Sequence, residues 1–187
     1  MVVIIYEEMI DMAYPSSVGD IPHSVSAVMG YIGGAATNIW TEADWRRFDH
    51  YPKLPIFVAT EKNSGTYDGW AAVMTMYRLG IPRDTALVID TELRQSNADD
   101  YYTDFYNICR WSGAICWKYG SSNWIYDLPA MDGIGIADPT MVRHCLAGRE
   151  YRFTQWYWGG KASPTTNYDL SEIHRHAMTH LAVDWTF

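Results

Sequence analysis

The stretch Ala86-Leu87-Val88-Ile89-Asp90-Thr91-Glu92 combines a short apolar run with two carboxylates that follow it directly. A Pro-containing turn at residues 81–84 precedes the run, and its β-branched residues predict a strand that is buried on both faces. Residues two apart in a strand point to the same side, so we expect Asp90 and Glu92 to project together, with Cα atoms roughly 6.5 Å apart. The stretch predicts an α/β fold with its chemistry at the carboxyl end of this strand.

Two neighbouring carboxylates cannot both ionise freely, so the pair favours a raised pKa for one of them and hence a general acid. We expect the raised pKa at Glu92 and a normal or depressed pKa at Asp90, because aromatic surroundings desolvate one group more than the other. On these residues alone, the alternative is a solvated strand end that carries two charged side chains.

Length and composition limit the class of protein. The chain has 187 residues, of which 48% are hydrophobic, and this favours a single domain over residues 1–187 with a sizeable core. The unusual feature is nine Trp and fourteen Tyr, because flat amphipathic rings suit sugar faces as well as cores and protein interfaces. The net charge of −8, without a long basic run, argues against nucleic acid as the main partner.

Nothing in the sequence predicts a membrane anchor or a zinc site. Residues 1–5 are apolar, but Glu7 and Glu8 follow, so the segment resembles neither a signal peptide nor a membrane span. We expect synthesis in a cytoplasm, with any export through a holin, a virion or another route. Cys109, Cys116 and Cys145 lack the spacing of zinc ligands and are expected to be mostly free, buried thiols.

Strand-like runs alternate with helical stretches along the chain. The predicted strands are residues 9–14, 26–32, 54–60, 86–92, 114–120, 131–137, 151–157 and a very short one at 168–170. The predicted helices begin after an N-cap at Thr41, span Asp68 to Leu79 and Tyr101 to Trp111, and close the chain from Leu170 to Leu181.

This alternation implies a mostly parallel sheet, and eight strands would close a (β/α)8 barrel. The chain is shorter than the roughly 250 residues that this fold typically needs. We therefore expect an abbreviated TIM-like barrel in which some crossovers are reduced to loops. A doubly wound open sheet is the alternative, although no G-x-G-x-x-G follows the first strand.

Acidic residues recur at the predicted strand ends, at Asp11, Asp90, Glu92, Asp138 and Asp169. In a barrel these ends converge on one mouth. Several carboxylates among Trp and Tyr side chains are the layout that a glycosidase needs, because one carboxyl protonates the leaving oxygen and another stabilises or attacks the oxocarbenium-like centre. For Asp138, which precedes a proline, a turn residue is the competing explanation.

The order of these motifs resembles the family 25 glycoside hydrolases, the Chalaropsis-type lysozymes, which are N-acetylmuramidases that cut peptidoglycan. The resemblance rests on Ile10-Asp11, Ala59-Thr60-Glu61, Ile89-Asp90-Thr91-Glu92, Gln155-Trp156 and Tyr168-Asp169-Leu170. Residues 65–92 also resemble the related glycoside-hydrolase-like domains of unknown function, of phage or actinobacterial type. The strand with a Tyr-His pair that is usual in the family is not recognisable in this sequence.

The resemblance implies roles for individual residues. Glu92 matches the general acid, and Asp90 matches the residue that supports the 2-acetamido group or the developing charge. Asp11 and Asp169 match the flanking carboxylates. Substrate binding is expected from Tyr31, Gln155, Trp156 and Asp138. No cofactor and no metal is expected, because His176 and His180 share a helix face without the Glu-x-x-His partner that a metal site would need.

Two functions of different classes follow from these observations. The first is a peptidoglycan-directed hydrolase of the muramidase type, with cell-wall glycan as its partner. The second is a catalytically inactive module of a phage virion that binds glycan or serves as a structural part beside tail proteins. Neither a membrane nor nucleic acid is expected as a partner, and the site of action would be the bacterial cell wall or a virion.

Overall fold

The computed structural model describes residues 6–12, 21, 23–92, 94, 98–137, 151–157 and 169–181. Eight strands in this part of the chain form a closed barrel in chain order. They are β1 Tyr6–Asp11, β2 Val25–Gly34, β3 Lys53–Val58, β4 Ala86–Asp90, β5 Ile115–Ser121, β6 Gly133–Ala137, β7 Tyr151–Tyr157 and β8 Asp169–His174. The helices are α1 Glu42–Arg46, α2 Gly65–Arg78, α3 Asp99–Ser112 and a 3₁₀ helix at Arg175–His180.

The predicted abbreviated, mostly parallel TIM-like barrel is confirmed. Strands β1 to β7 pair in parallel with their neighbours, and β8 closes the barrel by pairing antiparallel with both β1 and β7. Because the strands close on each other, the open doubly wound sheet is excluded.

The connection from β5 to β6 shows how the chain saves length. A loop over residues 122–132, with turns at 122–127, makes this connection, as expected for a crossover reduced to a loop. The buried Lys118 holds this loop, since its Nζ donates to the carbonyl oxygens of Leu128 at 2.8 Å and Pro129 at 3.0 Å. One lysine thus satisfies two carbonyls that a helix would have paired internally.

The core has two layers, one inside the barrel and one between the barrel wall and the helices. On β4, Val88 belongs to the inner layer and Ile89 to the outer one, and both are fully buried. This confirms a strand that is covered on both faces. Cys109 and Cys116 are free and buried as predicted, whereas Cys145 lies outside the described residues. None of the described helices is long and apolar enough to cross a membrane.

The predicted helix from Leu170 to Leu181 is wrong in its first half. Residues Asp169–His174 form β8, and only Arg175–His180 are helical. The reason is an alternation with a period of two, which puts Ser171 and Ile173 into the barrel interior with no exposed surface. The need to close the barrel between β1 and β7 outweighs the local helical tendency.

Helix α2 is confirmed, but its aromatic stripe faces solvent. Trp70, Met74 and Tyr77 are 37%, 49% and 71% exposed. The buried side of the helix carries small residues instead, and a Cβ added at Gly65 would lie 1.9 Å from the carbonyl oxygen of Tyr101. Helix α3 approaches so closely here that only glycine fits.

Asp68 ties the loop after β3 to helices α2 and α3. Its carboxylate is 1% exposed. It accepts hydrogen bonds from the Thr60 hydroxyl at 2.5 Å, the Tyr101 hydroxyl at 2.6 Å and Nδ2 of Asn63 at 2.8 Å. This network fixes the loop beside the carboxyl end of β4, where Ala59 N–H donates to the carbonyl of Asp90.

The change Asp68→Asn is expected to lower the free energy of unfolding by about 1–3 kcal/mol, because an amide offers one accepting oxygen and leaves at least one buried donor unpaired. Urea unfolding of both proteins measures the difference. Asp84→Asn is the control, since Asp84 is exposed and its change should stay within about 0.5 kcal/mol. Equal loss in the two variants would contradict a specific role for this network.

Candidate active site

The opening at the carboxyl ends of the parallel strands is called the mouth below. It is lined by side chains that lie on the same strand faces as the inner layer of the core. Met9, Val88 and Phe153 lie inside the barrel. Two residues further along the same strands come Asp11, Asp90 and Gln155, which therefore face the same side. On the antiparallel β8 the order is reversed, so Asp169 reaches the mouth from the first residue of its strand.

The carboxylates predicted from the sequence come together at this mouth. Asp11 lies directly opposite Asp169 in the pairing of β1 with β8. The charges of Asp169, Asp90 and Glu92 all act on Asp11. We call the set the mouth cluster, and it consists of Asp11, Tyr31, Asp90, Glu92, Tyr119, Gln155 and Asp169.

Asp90 and Glu92 occupy different depths. Strand β4 ends at Asp90, and its last pairing is completed by Thr91, whose backbone N–H and hydroxyl both donate to the carbonyl of Tyr119, at 2.8 and 2.9 Å. The chain then turns, and the backbone N–H of Glu92 donates to Oδ1 of Asp90 at 2.8 Å. Asp90 is 4% exposed, whereas Glu92 is exposed at the rim. The strand expected over residues 86–92 therefore ends two residues before Glu92.

The pKa of Asp90 is raised to about 7, first by burial and second by the charge of Glu92, while the bond from the Glu92 backbone N–H opposes both. The expectation of a normal or depressed pKa at Asp90 is thus wrong, because Asp90 is the deeper member of the pair. The pKa of Glu92 is also raised, first by burial of its carboxyl among the mouth atoms and second by the charge of Asp169. Both groups hold protons more tightly than ordinary carboxyls.

Asp11 favours its neutral form even more strongly. Its side chain is 5% exposed, and burial followed by the charges of Asp169, Asp90 and Glu92 raises its pKa well above the ordinary value. The Tyr31 hydroxyl donates to its Oδ2 at 3.4 Å and opposes the shift. Its buried Oδ1 has no hydrogen-bond partner among the described residues. A protonated Asp11 thus keeps one polar atom available in the mouth.

Gln155, which the resemblance assigned to substrate binding, lies within the barrel wall and is 4% exposed. Its Nε2 donates to Oδ2 of Asp169 at 2.7 Å, and its Oε1 accepts from the hydroxyl of Tyr119. Tyr119 was missed in the sequence analysis. The available signal was its alternation with Trp117 on β5, together with the pairing of β5 against the Asp90 strand.

The other predicted binding residues fall into two groups. Tyr31 is half-buried in the mouth and contacts Asp11. Asp138 lies outside the described residues, and so does the side chain of Trp156, although its backbone belongs to β7. Among the residues that the structure describes, no group of His, Cys, Asp and Glu has the geometry of a metal site.

No protein-family model matches the sequence, and no curated protein matches it either. Solved structures do. An uncharacterized protein of B. stearothermophilus has a TM-score of 0.72 at 14% identity, with 94% of this chain and 100% of that chain covered. A family 25 glycosyl hydrolase from Bacillus anthracis has a TM-score of 0.66 at 13% identity, with 89% and 88% covered. A bacterial lysozyme from Streptomyces coelicolor has a TM-score of 0.63 at 15% identity, with 96% and 98% covered.

These likenesses extend over about nine tenths of the chain. They agree with the closed eight-stranded barrel. The chain therefore has the barrel fold of the family 25 glycoside hydrolases.

Proposed function

We propose that the protein is a peptidoglycan-directed glycoside hydrolase of the N-acetylmuramidase type, which binds and cleaves the glycan across the mouth. The observation that carries the proposal is the difference between two adjacent carboxyls. The pKa values of both are raised, that of Asp90 to about 7, but Asp90 is buried, whereas Glu92 is exposed at the rim, where a leaving oxygen can reach it. A glycosidase needs a protonated acid within reach of the leaving oxygen and a second carboxylate near the sugar ring.

In this proposal Glu92 gives its proton to the glycosidic oxygen as the bond between that oxygen and the anomeric carbon breaks. Water then adds to the anomeric carbon, and its proton returns to the Glu92 carboxylate. Asp90, once ionised, stabilises the positive charge that develops on the sugar or supports its 2-acetamido group. Asp169 keeps the acid protonated through its charge. Asp11 uses its available oxygen to contact a sugar hydroxyl or amide.

Substrate binding is proposed for Tyr31, Trp156 and Asp138 around this centre. The substrate class is supported by the fold neighbours, since one is a family 25 glycosyl hydrolase and another a bacterial lysozyme. Aromatic side chains near a polar mouth also suit sugar rings. We place the activity at the bacterial cell wall, reached by export or as part of a virion.

The test is incubation of the purified protein with peptidoglycan from several bacteria. A muramidase is expected to lower the turbidity and to release fragments whose new reducing end is N-acetylmuramic acid, which borohydride reduction and mass measurement identify. Release of peptides alone would refute glycosidic cleavage. No release from any wall would overturn the enzyme and favour the inactive glycan-binding or structural virion module.

A further inference from the structure

Asp169, the first residue of β8, accepts a hydrogen bond from a side chain of the barrel wall. Gln155 pairs with Ser171 in the register of β7 with β8, which brings its side chain alongside Asp169. Gln155 and Tyr119 are 4% and 2% exposed, so their polar atoms exchange little with solvent. The bond from Gln155 Nε2 to Asp169 Oδ2, at 2.7 Å, therefore lies inside the mouth wall.

The amide of Gln155 has only one favourable orientation. A carboxylate accepts hydrogen bonds and cannot donate, so Asp169 requires Nε2 on its side. Oε1 then faces Tyr119, whose hydroxyl supplies the matching donor. The reversed amide would set Oε1 against Oδ2 of Asp169. Burial keeps the hydroxyl of Tyr119 protonated by raising its pKa well above the ordinary value.

The position of Asp169 matters to two other carboxyls. Its charge is the largest one acting on Glu92 and also the largest one acting on Asp11. The interaction between two charges falls with distance and with the polarity of the medium between them. A carboxylate that rotated toward solvent would therefore act less on Glu92 than one held in the wall.

We propose that Tyr119 and Gln155 form a buried relay of hydrogen bonds that fixes the Asp169 carboxylate beside Glu92, and that both are positioning residues for the hydrolase. This inference rests on the proposed function for its catalytic meaning, although the relay itself does not. The proposed reaction needs this relay, because an acid that loses its proton before the substrate binds cannot protonate the leaving oxygen.

The central experiment is Gln155→Leu, which removes the amide at similar volume. Carbon-detected NMR titration of the side-chain carboxyls is expected to show a lower pKa for Glu92 than in the wild type. The same substitution in an Asp169→Asn background is expected to change that pKa no further, because the charge that the relay positions is gone. On peptidoglycan, the alkaline limb of the rate profile should move to lower pH, with kcat reduced more than KM changes. A shift of one pKa unit would lower the rate above that limb about tenfold.

A second variant tests the relay in case Gln155→Leu does not fold. Tyr119→Phe keeps the ring but removes the hydroxyl that donates to Oε1 of Gln155. It should therefore lower the pKa of Glu92 as well, by a smaller amount. The matched control is Tyr106→Phe, because the Tyr106 hydroxyl donates to Oδ1 of Asp132 at 2.9 Å outside the mouth cluster. That control should leave the pKa of Glu92 unchanged.

Two results would overturn the relay. One is an unchanged Glu92 titration in folded Gln155→Leu or, where that variant does not fold, in Tyr119→Phe. The other is that Gln155→Leu lowers the pKa of Glu92 by the same amount in the Asp169→Asn background as in the wild-type background. If the wild type cleaves no wall at all, the proposed function fails, yet the titrations still decide whether the relay positions Asp169.

Discussion

Replacing Glu92 by Gln is expected to reduce peptidoglycan cleavage by about a hundredfold or more, the usual cost of losing a general acid. Glutamine has nearly the same shape and still forms hydrogen bonds, but it has no proton to release to the leaving oxygen. Glu92 is exposed at the rim, and glutamine has nearly the same volume. The fold and the glycan affinity should therefore remain nearly intact.

The measurement is product release from purified peptidoglycan, read by mass, for the wild type and the variant at equal concentration. Glu42→Gln is the matched control, since Glu42 is an exposed residue of α1 that pairs with Arg46 and does not belong to the mouth cluster. It should keep full activity. Equal product release by wild type and Glu92→Gln would rule out Glu92 as the acid.

The barrel was predictable because its strands carry strong local signals. The run ending at Asp90 is apolar, β-branched and bounded by turn residues, and such a run can be stable only when both faces are covered. The convergence of Asp11 and Asp90 followed from this, because parallel strands of a barrel present their carboxyl ends at one opening. No information beyond strand order and alternation was needed.

The depth of each carboxyl was not predictable, since it depends on residues from distant strands. Asp90 and Glu92 look equivalent in the sequence, but strand β4 ends at Asp90 and the chain then turns, so that the backbone N–H of Glu92 donates to Oδ1 of Asp90. The burial that raises the pKa of Asp90 comes from the surrounding barrel wall. The eighth strand was predicted only as a very short one at residues 168–170. Its full length and its antiparallel direction were missed for a similar reason, because closure against β1 and β7 decides them.

The depth of Asp90 has a consequence for stability that can be separated from catalysis. A carboxyl whose pKa is higher in the folded protein than in the unfolded chain favours folding while it is protonated. For Asp90 this contribution is fully present below the ordinary value of 3.8 and is lost as the pH rises through about 7. Three pKa units at 1.36 kcal/mol each correspond to a loss on the order of 4 kcal/mol above pH 7.

Asp90→Asn is therefore expected to make the protein more stable near pH 8, by several kcal/mol at most, and to change its stability little near pH 4. Asparagine can still accept the backbone N–H of Glu92 through Oδ1, so it keeps that bond without the buried charge. Urea unfolding of wild type and variant at both pH values measures the difference, with Asp84→Asn as the exposed control.

Asp90→Asn should also cleave peptidoglycan more slowly than the wild type, because the charge that stabilises the transition state is lost. A gain in stability with a loss of turnover would show that the mouth keeps Asp90 for chemistry at a cost to the fold. A variant equally stable at both pH values relative to wild type would instead mean that Asp90 titrates as an ordinary carboxyl.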